Sequence, residues 1–378
     1  MSEPSMAFVQ DALPVMGGAE RVLEAALEIF PKTPIFTLVY HPEAFTGSII
    51  REMPIHTSFL NKIPFFRRHH RLLLPLMPFA IEQLDVSDFD IIISFNYAVA
   101  HGVLARPDQL HLSYTHTPLR QAWQSYHPYI HSNRFRPLGW IVRMILHRFR
   151  QWDFIASRRV DQFIAPSHWI AQCIWRAYRR ESLVIYPPVA VDEIIACDNR
   201  EEYFITVSRM EPRKRVDLIV EAFNRLKLPL VVVGEGQDYR MISQMAGPTV
   251  KLLGYQPDPI IRDWLSKARA FVYAAEEDFG IAPVEAQAAG CPVIAYGKGG
   301  VRETVVEGQT GLFYPRQDVE SLVTALLRFE REREGFDLRA IRRNSERFNK
   351  QRFQRELAGL VVNKWMEFSS SRIPLGFP

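Results

Sequence analysis

Two carboxylates, Glu277 and Glu285, stand eight positions apart in the run EEDFGIAPVEAQAAG. An apolar run before them, AFVYAA at 270–275, reads as a buried strand, and a small-residue helix follows with Pro283 at its first position. Gly280 between them lets the backbone approach a ligand closely. A helix start there leaves N–H groups unpaired and presents the positive end of the helix dipole, which suits an anion. Carboxylates for hydroxyls and amides for phosphate suit a ligand that carries both. On the other reading of the same residues, Glu277 is a solvated loop acid and Glu285 a first-turn carboxylate favoured by the dipole.

Further groups stand at strand ends. Arg209 and Lys214 in SRMEPRKR lie between a strand end and a helix start, a place for cationic phosphate contacts, with Arg213 and Arg215 as solvated neighbours. His116 follows the apolar run HLSYT in a Thr-His-Thr-Pro turn, at the carboxyl end of a strand, where open α/β sheets bind ligands. Gly17 and Gly18 open a helical segment; they allow a phosphate near the backbone or make a plain turn. Gly234 and Gly236 in GEGQD lack the rest of a nucleotide-binding fingerprint and read as a turn. Asp88 and Asp90 form a D-x-D that runs straight into an apolar strand, so both read as strand-entry residues rather than metal ligands.

The elements that must position these groups alternate. Strands are expected at 7–10, 35–40, 87–95, 111–115, 162–167 and 182–189, and then at 201–210, 228–233, 250–254, 270–275 and 291–296. Helices are expected after Gly18 and over 134–159, 216–226, 260–268 and 283–289. This βα alternation predicts an α/β protein with two parallel-sheet domains, the Pro187–Pro188 pair marking the linker. The predicted boundaries are 1–190, 191–350 and a terminal helix over 351–378.

The motifs resemble glycosyltransferase family 4, the retaining, nucleotide-sugar-using enzymes of the GT-B fold. EDFGIAPVE is similar to the family's paired-glutamate motif, and GGAE, HTP, SRMEPRKR and GKGGVRE occur in the family's order. THTPLRQAW, QWDFIASRRVDQFIAPS and VIYPPV are similar to the branch that uses GDP-mannose, although Gln124 stands where that branch has an acid. The resemblance implies two Rossmann-like domains facing across a cleft, with the last helix crossing back to the first. It implies His116, Arg209, Lys214 and Glu277 as catalytic residues and Gly17, Gly18, Phe279, Gly280, Ile281 and Glu285 as donor contacts. Mannose would pass from GDP-mannose to a glycan or lipid-linked acceptor; a UDP-sugar donor and a non-catalytic sugar-nucleotide binder are the alternatives. No carboxylate nucleophile stands out, which favours a front-face mechanism in which the leaving phosphate takes the acceptor proton. No metal or other cofactor is expected, since Arg209, Lys214 and helix amides could neutralise the diphosphate.

Bulk properties agree with such a protein. The 378 residues suffice for two cores, and 47% hydrophobic with 23% charged residues is ordinary for a soluble chain. No signal sequence or spanning run is evident, and three cysteines without ligand spacing suit a reducing cytoplasm. Residues 51–180 hold 17 Lys/Arg against 8 Asp/Glu, a balance of +9 within a total of +4. That asymmetry suits a polyanionic or membrane-surface partner; no motif supports nucleic acid. Residues 59–84 mix Phe65, Phe66 and a leucine run with Lys62, Arg67, Arg68 and Arg71, and read either as a peripheral membrane contact or as a core helix with a basic face.

Overall fold

Runs that are apolar throughout, rather than alternating, belong to strands covered on both faces, as in parallel sheets. IIISFN at 91–96 and LVVV at 230–233 are such runs, and every residue of both is buried. The computed structural model describes residues 4–63, 73–131, 139–197 and 199–371. Two compact units emerge: residues 1–186 with 353–378, and residues 187–352.

The first unit holds a seven-stranded parallel sheet: β1 (Met6–Gln10), β2 (Ile35–Thr37), β3 (Ile55–Thr57), β4 (Ile91–Asn96), β5 (Leu110–Thr115), β6 (Gln162–Ala165) and β7 (Ser182–Val184). Their order is β3-β2-β1-β4-β5-β6-β7. The chain winds outward from β1 to β3, then returns to β4 on the other side of β1. The switch point, where ligand crevices form, therefore lies at the carboxyl ends of β1 and β4. The second unit repeats the plan with β8 (Phe204–Val207), β9 (Leu230–Val233), β10 (Val250–Gly254), β11 (Ala270–Tyr273), β12 (Val293–Tyr296) and β13 (Gly311–Tyr314), in the order β10-β9-β8-β11-β12-β13. Its switch point lies between β8 and β11.

The last helix, Lys350–Ser371, places Phe353, Leu357 and Val361 on one face at four-residue spacing. They are buried in the first unit's core with Phe8, Leu23, Ile93 and Tyr114. Phe353 stands edge-on to Tyr114 at 5.9 Å between ring centroids, and Gln354 donates to Ala25 O at 3.1 Å and Glu28 Oε2 at 2.7 Å. The chain thus leaves its first domain after β7 and returns to complete it.

Several boundaries differ from expectation. The strand expected over 35–40 stops at Thr37; Tyr40 makes only an isolated bridge with Leu13. The strand expected from Ser87 begins at Ile91. The helix expected from Pro283 begins two residues earlier, at Ile281. Proline is tolerated there because N–H groups in the first turn have no intrahelical acceptor. Strands β3 and β13 and the helix Tyr239–Met245 were not expected from the sequence, being short and lacking long apolar runs. Phe65, Phe66, Arg67, Arg68 and Arg71 lie outside the described residues, and the helix expected over 134–159 is described from Gly139.

Candidate active site

In the second unit, the loops after β8 and β11 leave neighbouring strands at the switch point. The loop after β8 is set by two glycines further along the chain. Gly234 and Gly236 have φ of +128° and +157°, and a Cβ at either would lie 2.0 Å from Ser208 O or 2.4 Å from Met210 O. Only glycine permits that approach. It lets Ser208 N donate to Val233 O (3.0 Å) and Met210 N to Glu235 O (2.8 Å). Met210 is then buried and Arg209 is turned outward. The Arg209 guanidinium makes no hydrogen bond or ion pair among the described residues. The turn read from GEGQD is thus the support on which the arginine loop rests.

The same loop continues through a 3₁₀ turn, Pro212–Lys214, to Arg215, whose φ of +52° reverses the chain into the helix Val216–Leu226. Lys214 Nζ donates to Glu277 Oε1 at 2.5 Å and reaches Tyr273 Oη at 3.5 Å. Arg213 Nη1 donates to the same glutamate oxygen at 3.1 Å, while its Nε holds Glu211 at 3.2 Å. Arg213, expected to be a solvated neighbour, is therefore the second cation on Glu277. No sequence signal separated it from Arg215, which pairs locally with Asp217 at 3.2 Å.

Glu277 itself is placed by the glycine pair of GKGGVRE. A Cβ at Gly299 would lie 2.4 Å from Glu277 O, and one at Gly300 2.3 Å from Asp278 O. Gly300 N donates to Glu277 O at 2.8 Å, and Lys298 pairs with Glu276 at 3.0 Å. Gly280, at φ +93°, then starts the helix Ile281–Ala288, and no side chain caps it. Its first N–H groups and positive dipole end are left for an anionic ligand. The Phe279 ring is buried edge-on against Phe348 at 5.3 Å, so its side chain serves packing rather than a ligand. Ile281 is half-buried at the helix start. Glu285 is also half-buried, and lies in the second turn rather than at the helix start.

The first unit presents its groups at the carboxyl edge of its sheet. Gly17 is the N-cap of the helix Gly18–Ile29, with extended backbone (φ −157°), and its carbonyl accepts from Arg21 N at 3.0 Å. Glu20 is buried in the first turn of this helix. Asp11, missed in the sequence although it directly follows an apolar strand, ties β1 to the turn after β4. Its carboxylate accepts from the N–H groups of Tyr97 (2.5 Å), Ala98 (3.0 Å), Val99 (2.6 Å) and Ala100 (2.7 Å). Burial pushes its carboxyl up to about 6 against the pull of those donors.

His116 directly follows β5, and its N–H donates to Asn96 O at 2.7 Å. Its ring stands edge-on to Tyr114 at 5.2 Å. Burial lowers the imidazole to about 4, so it is neutral at pH 7, and its Nε2 is buried without a partner. Gln10 and Asn96, at the ends of β1 and β4, are fully buried with no partner for either side-chain amide atom. Neutral groups that both donate and accept suit hydroxyls. Asp90 lies at the opposite edge of this sheet, where its Oδ2 accepts from Ser5 N and Ser5 Oγ, each at 2.9 Å, as a strand-entry residue. Among the described residues, no three acids, histidines or cysteines gather as a metal site.

Known proteins share this organisation. Residues 16–193 match the family model described as Glycosyltransferase Family 4, and residues 191–348 the model described as Glycosyl transferases group 1. The GDP-mannose-dependent alpha-mannosyltransferase of Mycobacterium tuberculosis is 33% identical over 204 residues, covering 50% of this chain and 54% of that one. The alpha-1,3/1,6-mannosyltransferase of Neurospora crassa is 30% identical over 206 residues, covering 44% of this chain and 42% of that one. The matches thus span about half the length of these curated relatives. Among solved structures, HepE of Anabaena in complex with UDP superposes with a TM-score of 0.72 at 16% identity, over 95% of this chain and all of that one. At that identity the likeness is one of fold, here the GT-B pair of Rossmann-like domains.

Proposed function

Because this chain belongs to glycosyltransferase family 4, we propose that it transfers a hexose, mannose from GDP-mannose, to a glycan or lipid-linked acceptor with retention at the anomeric carbon. The observation that carries this reading is the switch point of the second sheet. There Arg209 and an uncapped helix start stand free for phosphate beside Glu277, which two cations hold. The choice of mannose rests on the two mannosyltransferase relatives.

In this reading Arg209, Lys214 and the amides at Gly280 and Ile281 take up the charge that grows on the departing diphosphate. Such preorganised groups supply the largest part of many rate enhancements. Glu277 accepts a hydrogen bond from a hydroxyl of the donor sugar, and Glu285 from the ribose. The bond from the anomeric carbon to the phosphate oxygen breaks as the acceptor oxygen bonds to that carbon on the same face. The acceptor proton passes to the departing phosphate oxygen, so glycoside and GDP leave together. His116, neutral at physiological pH, holds a hydroxyl and does not supply positive charge.

The first domain also carries a surface suited to an anionic membrane. On the helix Gly139–Ala156 and the residues just after it, the exposed face consists of Trp140 (65% exposed), Arg143, Met144, His147, Arg148, Gln151, Phe154, Ile155 (60% exposed) and Arg158. The only acid of that helix, Asp153, is buried. Large apolar residues interleaved with arginines and free of acids form an interfacial helix face. No helix among the described residues is long and apolar enough to cross a membrane.

The test is turnover of a donor panel by the purified protein, with the product anomer read by NMR. GDP-mannose should be consumed faster than UDP-glucose and give an α-mannoside. Faster use of UDP-glucose would transfer the reading to a UDP-sugar enzyme, and no release of nucleoside diphosphate from any donor would leave only a binder.

A further inference from the structure

His116 heads a loop that runs to Ser125, and the loop is held at both ends. At its head, His116 N donates to Asn96 O at 2.7 Å. Within it, Ala122 N and Trp123 N donate to Leu119 O (2.9 and 3.1 Å), Ser125 N donates to Arg120 O (2.7 Å), and Gln124 Nε2 donates to Thr117 Oγ1 (3.3 Å). At its tail, Trp123 Nε1 donates to Asp153 Oδ2 at 2.7 Å, and Arg150 Nη1 donates to Ala122 O at 3.1 Å. Both partners, Arg150 and Asp153, stand three positions apart on the helix Gly139–Ala156, so one turn of that helix carries the whole tail clamp.

Asp153 is fully buried. Its Oδ2 also accepts from the Tyr178 hydroxyl at 3.0 Å, and its Oδ1 lies 3.3 Å from His101 Nε2. A buried carboxyl is costly, and apolar residues of the same volume would stabilise the core at least as well. What an apolar residue could not do is fix the direction of an indole N–H. We infer that Asp153, through Trp123, is a positioning residue for the His116 loop, setting where the imidazole meets its substrate. Burial lifts this carboxyl to about 7, with Trp123 and Tyr178 pulling the other way. A proton on Oδ1 leaves Oδ2 free to accept from both donors, so the clamp holds in either protonation state. A displacement of a reacting group by about 1 Å can cost roughly 100-fold in rate, so a clamp this far from the chemistry matters.

Two variants separate positioning from packing. Trp123→Phe removes the donor that ties the loop. Tyr178→Phe removes the other donor to the same oxygen, from the helix His168–Tyr178, which is not part of the loop. Hydrogen exchange of peptides covering 116–125 should quicken about 10-fold or more in Trp123→Phe and stay as in the parent in Tyr178→Phe. The kcat for GDP release from GDP-mannose should fall roughly 10- to 100-fold only in Trp123→Phe, with KM for GDP-mannose within about twofold. Equal exchange in the two variants, or parental kcat in Trp123→Phe, overturns the inference. The turnover arm rests on the function proposed above. If the parent protein releases no GDP, that function fails, while the exchange arm still decides whether the clamp exists.

Discussion

Replacing Lys214 by methionine keeps the stem of the side chain and removes its charge. The structure allows its effect to be set against that of the neighbouring cation on the same carboxylate oxygen. Lys214 and Glu277 are 12% and 13% exposed, whereas Arg213 is 46% exposed. Water screens a half-exposed pair down to about 0.2–1 kcal/mol, so Arg213→Met should lower kcat by no more than roughly fivefold. Lys214 stands in the less exposed place, and beyond Glu277 it would meet the charge that grows on the diphosphate. Loss of one preorganised group of that kind costs about 2.7–4 kcal/mol, or roughly 100- to 1,000-fold in kcat. Arg213 remains on Glu277 in the Lys214 variant, so the loop should keep its place and the melting temperature should change little. The assay is steady-state release of GDP from GDP-mannose, with kcat and KM separated and the melting temperature followed in parallel. If Lys214→Met and Arg213→Met reduce kcat equally, or if Lys214→Met stays within about threefold of the parent, the electrostatic role of Lys214 is refuted.

Glu285→Ala should weaken calorimetric binding of GDP itself, whereas Glu277→Ala should spare GDP binding and lower sugar transfer; the reverse pattern would exchange the roles of the two acids. Turnover should survive EDTA, because Arg209, Lys214 and the helix amides serve the diphosphate; loss of all activity, restored by magnesium or manganese, would show that a metal is needed. With its imidazole lowered to about 4, His116 should contribute no inflection to the kcat profile between pH 5 and 8, measured against His116→Gln; an inflection near pH 6.5 confined to the parent would contradict the neutral assignment. Vesicles rich in anionic lipid should co-sediment with the protein, salt and the double change Arg143→Glu with Arg148→Glu should weaken this by about 1 kcal/mol per lost basic residue, and absence of binding at low salt would end the membrane reading.

The parallel architecture was legible because buried strands are written as continuous apolar runs. Helix Val216–Leu226 was expected with the bounds it has, since its apolar face repeats cleanly. Short edge strands such as β3 and β13 carry three and four residues, too few for a period to show. The loops of the site were legible as places, since Lys214, Glu277 and His116 follow strands as read, while the strand expected over 201–210 ends at Val207 and leaves Arg209 beyond it. What each side chain does there was not. Arg213 and Arg215 look alike in sequence, and only the left-handed turn at Arg215 sends one to Glu277 and the other to Asp217. Phe279 reads as part of a binding motif, yet its ring packs on Phe348, almost seventy positions away in the chain. Gly234 and Gly236 were read only as a turn, and Gly299 and Gly300 only as part of a motif. All four let one loop's backbone lie against another's, a long-range steric fact that no local pattern records.

The return of the chain at Phe353 has a consequence for synthesis. A ribosome delivers β1 to β7 first, but the core beneath β1, β4 and β5 stays open on the side that Phe353, Leu357 and Val361 will cover. The second domain, continuous from Pro187 to Arg352, can close in the meantime, its entry and exit joined by the bridge between Val189 and Asn349. The domain made first is therefore the one finished last. Until the final helix emerges it exposes an apolar flank, and a nascent chain stalled before Phe353 presents a finished second domain beside a client for chaperones.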